Sequence, residues 1–163
     1  MKEVTADQFK LGMRQLAATV NVISVLADGK PLGMLATAVC SVCAEPPTLL
    51  VCINRSASMH GAIRETGKFC VNVLDQKQFD TACQFMSRDS SERFTVCEWD
   101  ALATGAPAIQ GALVNFDCVL DSEVDVGTHT ICFGRVVGQR TVEEGRPLIY
   151  HDGKYSVLSQ TTL

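Results

Sequence analysis

The residues of this chain that could do chemistry fall in a few short segments. Ser56-Ala57-Ser58 is a Ser-rich turn between an apolar run, Thr48–Asn54, and a short helical segment, Met59–Thr66, that Gly67 stops. Ser58 is a good N-cap, and the unpaired N–H groups of a helix start attract phosphate. Upstream lies a second β-like run, Met34–Cys43, built largely of small residues, with Glu45-Pro46-Pro47 between the two runs. Proline has a fixed φ and no backbone donor, so the pair closes a strand instead of continuing it. Small side chains beside an anion site suit a planar, phosphorylated ligand laid against the backbone.

Arg88 and Arg93 stand in a polar stretch, Arg88–Phe94. A guanidinium there could clamp a pyrophosphate or stack on adenine, and it could equally be a solvated loop charge. Glu92 would fix a local arginine or the loop, and Arg55 is a lesser phosphate candidate. His129 follows Gly127-Thr128 at a strand start and shares parity with Ile131 and Phe133, the pattern of a satisfied structural histidine. His60 and His151 rank behind it. Cys40-x-x-Cys43 has a spacing used by zinc and redox sites, but in a strand that odd offset sends the side chains to opposite faces. No second pair or suitably spaced histidine accompanies it. The eight cysteines sit mostly inside apolar runs, so the sequence predicts buried thiols and no metal.

Positioning these residues requires strands. Thr5 and Gln8 predict a capping box opening an amphipathic helix, with Phe9, Met13, Leu16 and Val20 at helical spacing. Val20–Ala27 reads as a strand turning at Asp28-Gly29 into Lys30–Cys43, and Lys68–Leu74 as another. Asp75 with Gln78 caps a helix to about Ser87, carrying Phe79, Ala82 and Met86 on one side. From Ala112 the pattern alternates: Val114, Phe116, Cys118 and Leu120 on one face, Asn115 and Asp117 on the other, as in a half-buried antiparallel strand. Thr128–Val137 follows as a strand, and Asp152-Gly153 makes a second hairpin. Short strands, hairpins and few helices predict a mainly β fold, a closed antiparallel barrel with flanking helices. No repeat or linker divides residues 1–163, so one domain is expected.

Composition narrows the function. A net charge of −4 argues against nucleic acid as the main partner. No apolar run approaches the roughly 20 residues of a membrane span, and MKEVTADQFK lacks the apolar core of a signal peptide, so a cytoplasmic protein is expected. No G-x-G-x-x-G follows a strand and no P-loop is present. A nicotinamide nucleotide would therefore bind on a non-Rossmann surface, with no acidic ribose reader to separate NADH from NADPH.

The ordered succession ATAVCSV–x3–PPTLLVCINRSAS, GKFCVNVL, ERF, ATGAP and VGTHTI resembles the short-chain flavin reductases. These are the reductase components of two-component flavin monooxygenases, including those acting on 4-hydroxyphenylacetate and on pyrimidines. The likeness runs from about Phe9 to Tyr155. It implies the FMN-binding split barrel, a Greek-key β-barrel, in a homodimer with flavin at the subunit boundary. It implies an NAD(P)H:flavin oxidoreductase that passes hydride from NADH, with NADPH possible, to FAD or FMN. Reduced flavin would then diffuse to a separate monooxygenase, an aromatic or phenol hydroxylase first and a pyrimidine-ring oxygenase second. Met34, Ala36, Thr37, Ala38 and Ser41 would cradle the isoalloxazine ring, with Cys52, Ile53 and Asn54 continuing the wall through backbone groups. Ser56 and Ser58 would meet the ribityl chain or first phosphate, Arg88 or Arg93 the outer phosphate or adenine. His129 would border nicotinamide, with Tyr150 or Tyr155 stacking nearby or packing in the core. A non-catalytic flavin binder, a thiol or metal protein and a pyridoxamine-phosphate oxidase on the same barrel are the rival readings.

Overall fold

A computed structural model describes residues 3–87, 89–90 and 92–159. The first helix, α1 (Ala6–Met13), has the expected box: the Gln8 N–H donates to Thr5 Oγ1 at 3.3 Å, and the Thr5 N–H donates to Gln8 Oε1 at 3.0 Å. Its apolar residues do not reach the core, since Phe9 is 62% exposed and no residue of α1 is buried. A short β1 (Ala18–Thr19) leads into β2 (Asn21–Ala27). Asp28 and Gly29 both take positive φ, 50° and 71°, the two-residue turn whose twist matches flanking strands.

The expected single strand Lys30–Cys43 is broken. β3 (Lys30–Ala36) ends before Thr37-Ala38, and β4 (Val39–Ala44) begins after it. β5 (Pro47–Asn54) starts on the second proline, α2 (Met59–Thr66) ends on Gly67 at φ 64°, and β6 (Lys68–Val73) follows. Beyond a 3-10 turn capped by Asp75 come α3 (Phe79–Ser87), β7 (Trp99–Ala101), β8 (Pro107–Ile109), β9 (Val114–Val126), β10 (His129–Thr141), β11 (Leu148–His151) and β12 (Lys154–Val157). On α3 the buried residues are Ala82 and Phe85, whereas Phe79 and Met86 face outward, 44% and 66% exposed.

Seven strands form one antiparallel ladder in the order β3-β2-β6-β9-β10-β5-β4. β3 and β5 lie five places apart in that order, about 24 Å in a flat sheet. Their Cα atoms nevertheless approach within 8 Å, so the sheet curls into a barrel-like wrap. One apolar core, including Ile23, Val51, Ile53, Phe69 and Val71, fills the wrap, and Met59, Ala62 and Ile63 of α2 pack into it. Gly134 of β10 belongs to this packing, because a Cβ there would strike the Phe69 ring. The ladder ends on β3 and β4, which are not paired with each other, so hydrogen bonding does not carry it round to full closure.

The alternation in β9 is real, but its polar face is not solvated. Asn115 and Asp117 are fully buried. The β7–β8 hairpin and its loop lie over them. Asp117 accepts from the Thr104 N–H at 2.7 Å, and Asn115 Nδ2 donates to Ile109 O at 3.0 Å. Arg140 completes the layer, its Nε donating to Asn115 Oδ1 at 2.8 Å while its Nη1 meets Asp100. On the other side β11 pairs with both β1 and β12, and this small sheet carries Tyr150 beside α1.

Candidate functional site

Where the ladder is open, Thr37-Ala38 alone joins its two ends. Ala36 still pairs with Asn21 of β2, and Val39 already pairs with Val51 of β5. The reversal is tight: the Val39 N–H donates to Thr37 O at 3.0 Å, an i to i+2 turn. The other carbonyls are taken as well, Ala36 O by Asn21 Nδ2 at 3.1 Å and Ala38 O by the Cys52 N–H at 3.1 Å. The amide N–H groups of Thr37 and Ala38 find no acceptor among the described residues, and both residues are exposed. The seam therefore offers two backbone donors flanked by small side chains.

Two hollows meet at this seam. One, about 260 Å3, is lined by Leu35, Ala36, Thr37, Met86, Tyr150 and Tyr155. The second, about 700 Å3, lies between the α1 side (Phe9, Met13, Arg14) and Thr37, Ala38 and Tyr150. The tyrosines are register partners with rings 5.7 Å apart, edge to face. Tyr155 also donates to Met86 Sδ at 2.9 Å, and burial pushes its phenol above the usual value. Tyr150 is thus open to both hollows, and Tyr155 is a supported wall of the smaller one.

The remaining expected residues divide by face. Cys52 and Asn54 are half-buried on the outer side of β5, while Ile53 points into the core and is fully buried. Ile53 therefore offers a flat ligand only its backbone, whereas Met34 packs against that core but is only half-buried. Ser41 lies on the exposed strand β4, along a separate groove of about 460 Å3. Asn54 pairs across the ladder with His129. Asn54 Oδ1 accepts from both the N–H and the hydroxyl of Ser56, at 2.9 Å each. Ser58 occupies the N-cap of α2 without a side-chain cap bond, so its hydroxyl is not engaged there. His129 shares its face with Ile131 and Phe133, but that face is the outer one; Thr130 and Cys132 point inward. The exposed His129 holds Nδ1 2.9 Å from Thr128 Oγ1.

Arg93 donates from Nη1 to Gly33 O at 2.8 Å, tying its loop to β3. Next to it the Phe94 ring fills the space that a Cβ on Gly33 would need. Arg88 lies outside the described residues. The sequence reading missed Lys10 and Arg14, which bring positive charge to the larger hollow. The stripe on α1 was visible, but its neighbour is fixed by distant ties, the β1–β11 pairing of Ala18 with Tyr150 and the Asp152 N–H donating to Arg14 O at 2.9 Å.

Cys40 and Cys43 are exposed, not buried. A bulge between Ser41 and Cys43 sets Cys40 opposite Leu50 and Cys43 opposite Thr48, so the parity that would separate them is cancelled. No group of three or more metal-ligating side chains occurs among the described residues. Burial pushes the Cys118 thiol up to about 12 and the Cys132 thiol to about 11, leaving both protonated and inert at neutral pH. Because both thiols are exposed, Cys40→Ser with Cys43→Ser is expected to leave the melting temperature within a few degrees, measured by a melting curve.

Comparison with known proteins identifies the family of the chain. The family described as flavin reductase like domain matches residues 13–159. An FMN reductase (NADH), RutF, of Pseudomonas syringae is 44% identical over 155 residues, covering 94% of this chain and 87% of that protein. Among solved structures, a homolog of nitrilotriacetate monooxygenase component B from Mycobacterium thermoresistibile superposes with a TM-score of 0.90 at 30% identity, covering 96% of this chain and 90% of that one. BorF, the flavin reductase component of a bacterial two-component tryptophan halogenase, gives 0.87 at 32% identity, covering 96% and 100%.

Proposed function

This chain belongs to the flavin reductase like family, and from that premise we propose that it reduces FMN or FAD with NADH and supplies the reduced flavin to a separate monooxygenase. The observation that carries the reading is the open seam at Thr37-Ala38, whose two amide donors have no acceptor among the described residues and lie beside an aromatic-walled hollow. A flavin fits this donor set. It needs N–H groups along its polar edge, small residues under its ring and an anion site for its phosphate.

Bound flavin supplies the hydride acceptor, and the chain supplies position and polarity. The Thr37 and Ala38 amides would hold the polar edge of the flavin and supply fixed donors for the negative charge of its reduced form. Ser56, Ser58 and the start of α2 hold the phosphate. Tyr150 and Tyr155 would wall the flavin from water, and His129 would orient the nicotinamide toward it, since alignment of donor and acceptor is what the transfer requires. No protein nucleophile is needed.

The same reading takes in the finer points. Residues 1–163 act as one domain. The curled sheet is the split barrel of the family, its opening at β3 and β4. A homodimer covers the apolar residues of α1 and the largely exposed edge β4, faces that a lone protomer leaves wet. Sedimentation equilibrium showing only the protomer mass would overturn that. Free cysteines, two of them exposed, suit a reducing cytoplasm, and no helix is long and apolar enough to cross a membrane among the described residues. The consumer of reduced flavin is an aromatic or phenol hydroxylase, or a pyrimidine-ring oxygenase; the reductase site serves either.

Anaerobic mixing of the protein with FMN or FAD and with NADH or NADPH tests the whole. Bleaching of the flavin by NADH is expected, fastest with FMN. Denaturation should then release all flavin into the filtrate, since a supplier must let it go. No bleaching with any pair, or flavin left on the polypeptide, would sink the reading.

A further inference from the structure

α2 carries His60 and Arg64 four residues apart, on one face, and both meet the β9–β10 hairpin. His60 Nε2 lies 2.8 Å from Thr130 Oγ1, and Thr130 Oγ1 donates to Asp125 Oδ1 at 2.6 Å. A threonine hydroxyl has one proton. With that proton given to Asp125, His60 must donate from Nε2. Arg64 closes the chain from the far side, its Nη2 3.3 Å from Asp125 Oδ1 and 2.7 Å from Glu123 Oε1. The Thr130 hydrogen bond, aided by the Arg64 and Arg55 charges, holds the Asp125 carboxyl below the usual carboxylate range, so it stays an acceptor.

Hydride transfer does not call for these groups, and none faces the seam. Thr130 is fully buried, and the next residue back, His129, points the opposite way. Yet the chain lies where two functional segments are joined. Ser56–Ser58 leads directly into α2, and His129 opens β10. A second tie runs alongside, from the Arg55 N–H to Thr128 O at 3.0 Å. We propose that the His60–Thr130–Asp125–Arg64 chain is a positioning device that locks α2 to the β9–β10 hairpin. It thereby fixes the separation between the turn holding flavin phosphate and the histidine bordering nicotinamide. This rests on the assignment of those two roles above.

The test uses the full chain saturated with FMN, read by anaerobic reduction across NADH concentrations, a flavin titration and a melting curve. Thr130→Val keeps the shape and removes the hydroxyl. It is expected to slow reduction at saturating NADH by about ten- to a hundredfold, the scale of a small misplacement, and to weaken flavin only a few-fold. Thr130→Ser should restore the rate. Asp125→Ala, at the more exposed end of the chain, should repeat the defect in milder form and serves if the valine variant does not fold. Lower melting temperatures with a normal reduction rate in both variants would overturn the proposal, because a merely structural role predicts that outcome. Normal reduction by His129→Ala would overturn the role assignment beneath it, whatever Thr130→Val shows.

Discussion

Reduction of bound flavin by NADH is expected to fall about a hundredfold or more in His129→Ala, while flavin affinity stays within a few-fold. Losing one hydrogen bond on the nicotinamide side costs about 0.5–1.5 kcal/mol, a few-fold to tenfold in binding. Misalignment of the hydride donor adds about a further hundredfold in rate. Because His129 is exposed on the outer face of β10 and not part of the core, the substitution should leave the melting curve almost unmoved. Reduction by dithionite bypasses nicotinamide and should remain normal. The measurement is stopped-flow bleaching across NADH concentrations, paired with a flavin titration. Unchanged bleaching at every concentration would remove His129 from the site.

Asn72→Leu is expected to be the most damaging single change to the fold. Asn72 is fully buried beneath the β7–β8 hairpin. Its Oδ1 accepts from the Ile109 N–H at 2.8 Å and from Asn115 Nδ2 at 2.7 Å, and its Nδ2 donates to Val22 O and to Ser24 Oγ. Leucine would strand several of these partners away from water, at about 1–3 kcal/mol for each group left unsatisfied. A total of about 3–5 kcal/mol would remove much of the ordinary 5–15 kcal/mol of a folded domain. Urea unfolding should show a large drop in midpoint with an unchanged slope. A loss under about 1 kcal/mol would mean that the layer is satisfied by other means.

How far the residues announced this structure depends on whether a local rule or a distant partner decides. The capping box at Thr5 and Gln8 and the turns at Asp28-Gly29 and Asp152-Gly153 are local, and all three are present. Their chemistry involves only a few neighbouring residues. The break at Thr37-Ala38 has no glycine or proline to mark it, and it exists because Ala36 and Val39 pair with strands at opposite ends of the ladder. Parity rightly grouped His129 with Ile131 and Phe133, but which face was core depended on α2 packing inside the wrap. Alternation rightly separated Asn115 and Asp117 from their apolar neighbours, yet it could not show that the β7–β8 hairpin would cover them. Periodicity also misplaced Cys40 and Cys43, because one bulge resets every later side chain. The site was legible mainly as a succession of segments, and its assembly required the curl of the sheet.

Thr37-Ala38 has one more consequence, set by covalent length. From Ala36 to Val39 the backbone spans three residue steps, so the two ends of the ladder can stand no more than about 11 Å apart at that point. Neighbouring strands lie about 4.8 Å apart, which makes this reach little more than two spacings, the width of one absent strand. The covalent link thus sets an upper limit on how far the two ends of the ladder can part at that point. Each residue inserted between Thr37 and Ala38 would raise that limit by up to about 3.5 Å.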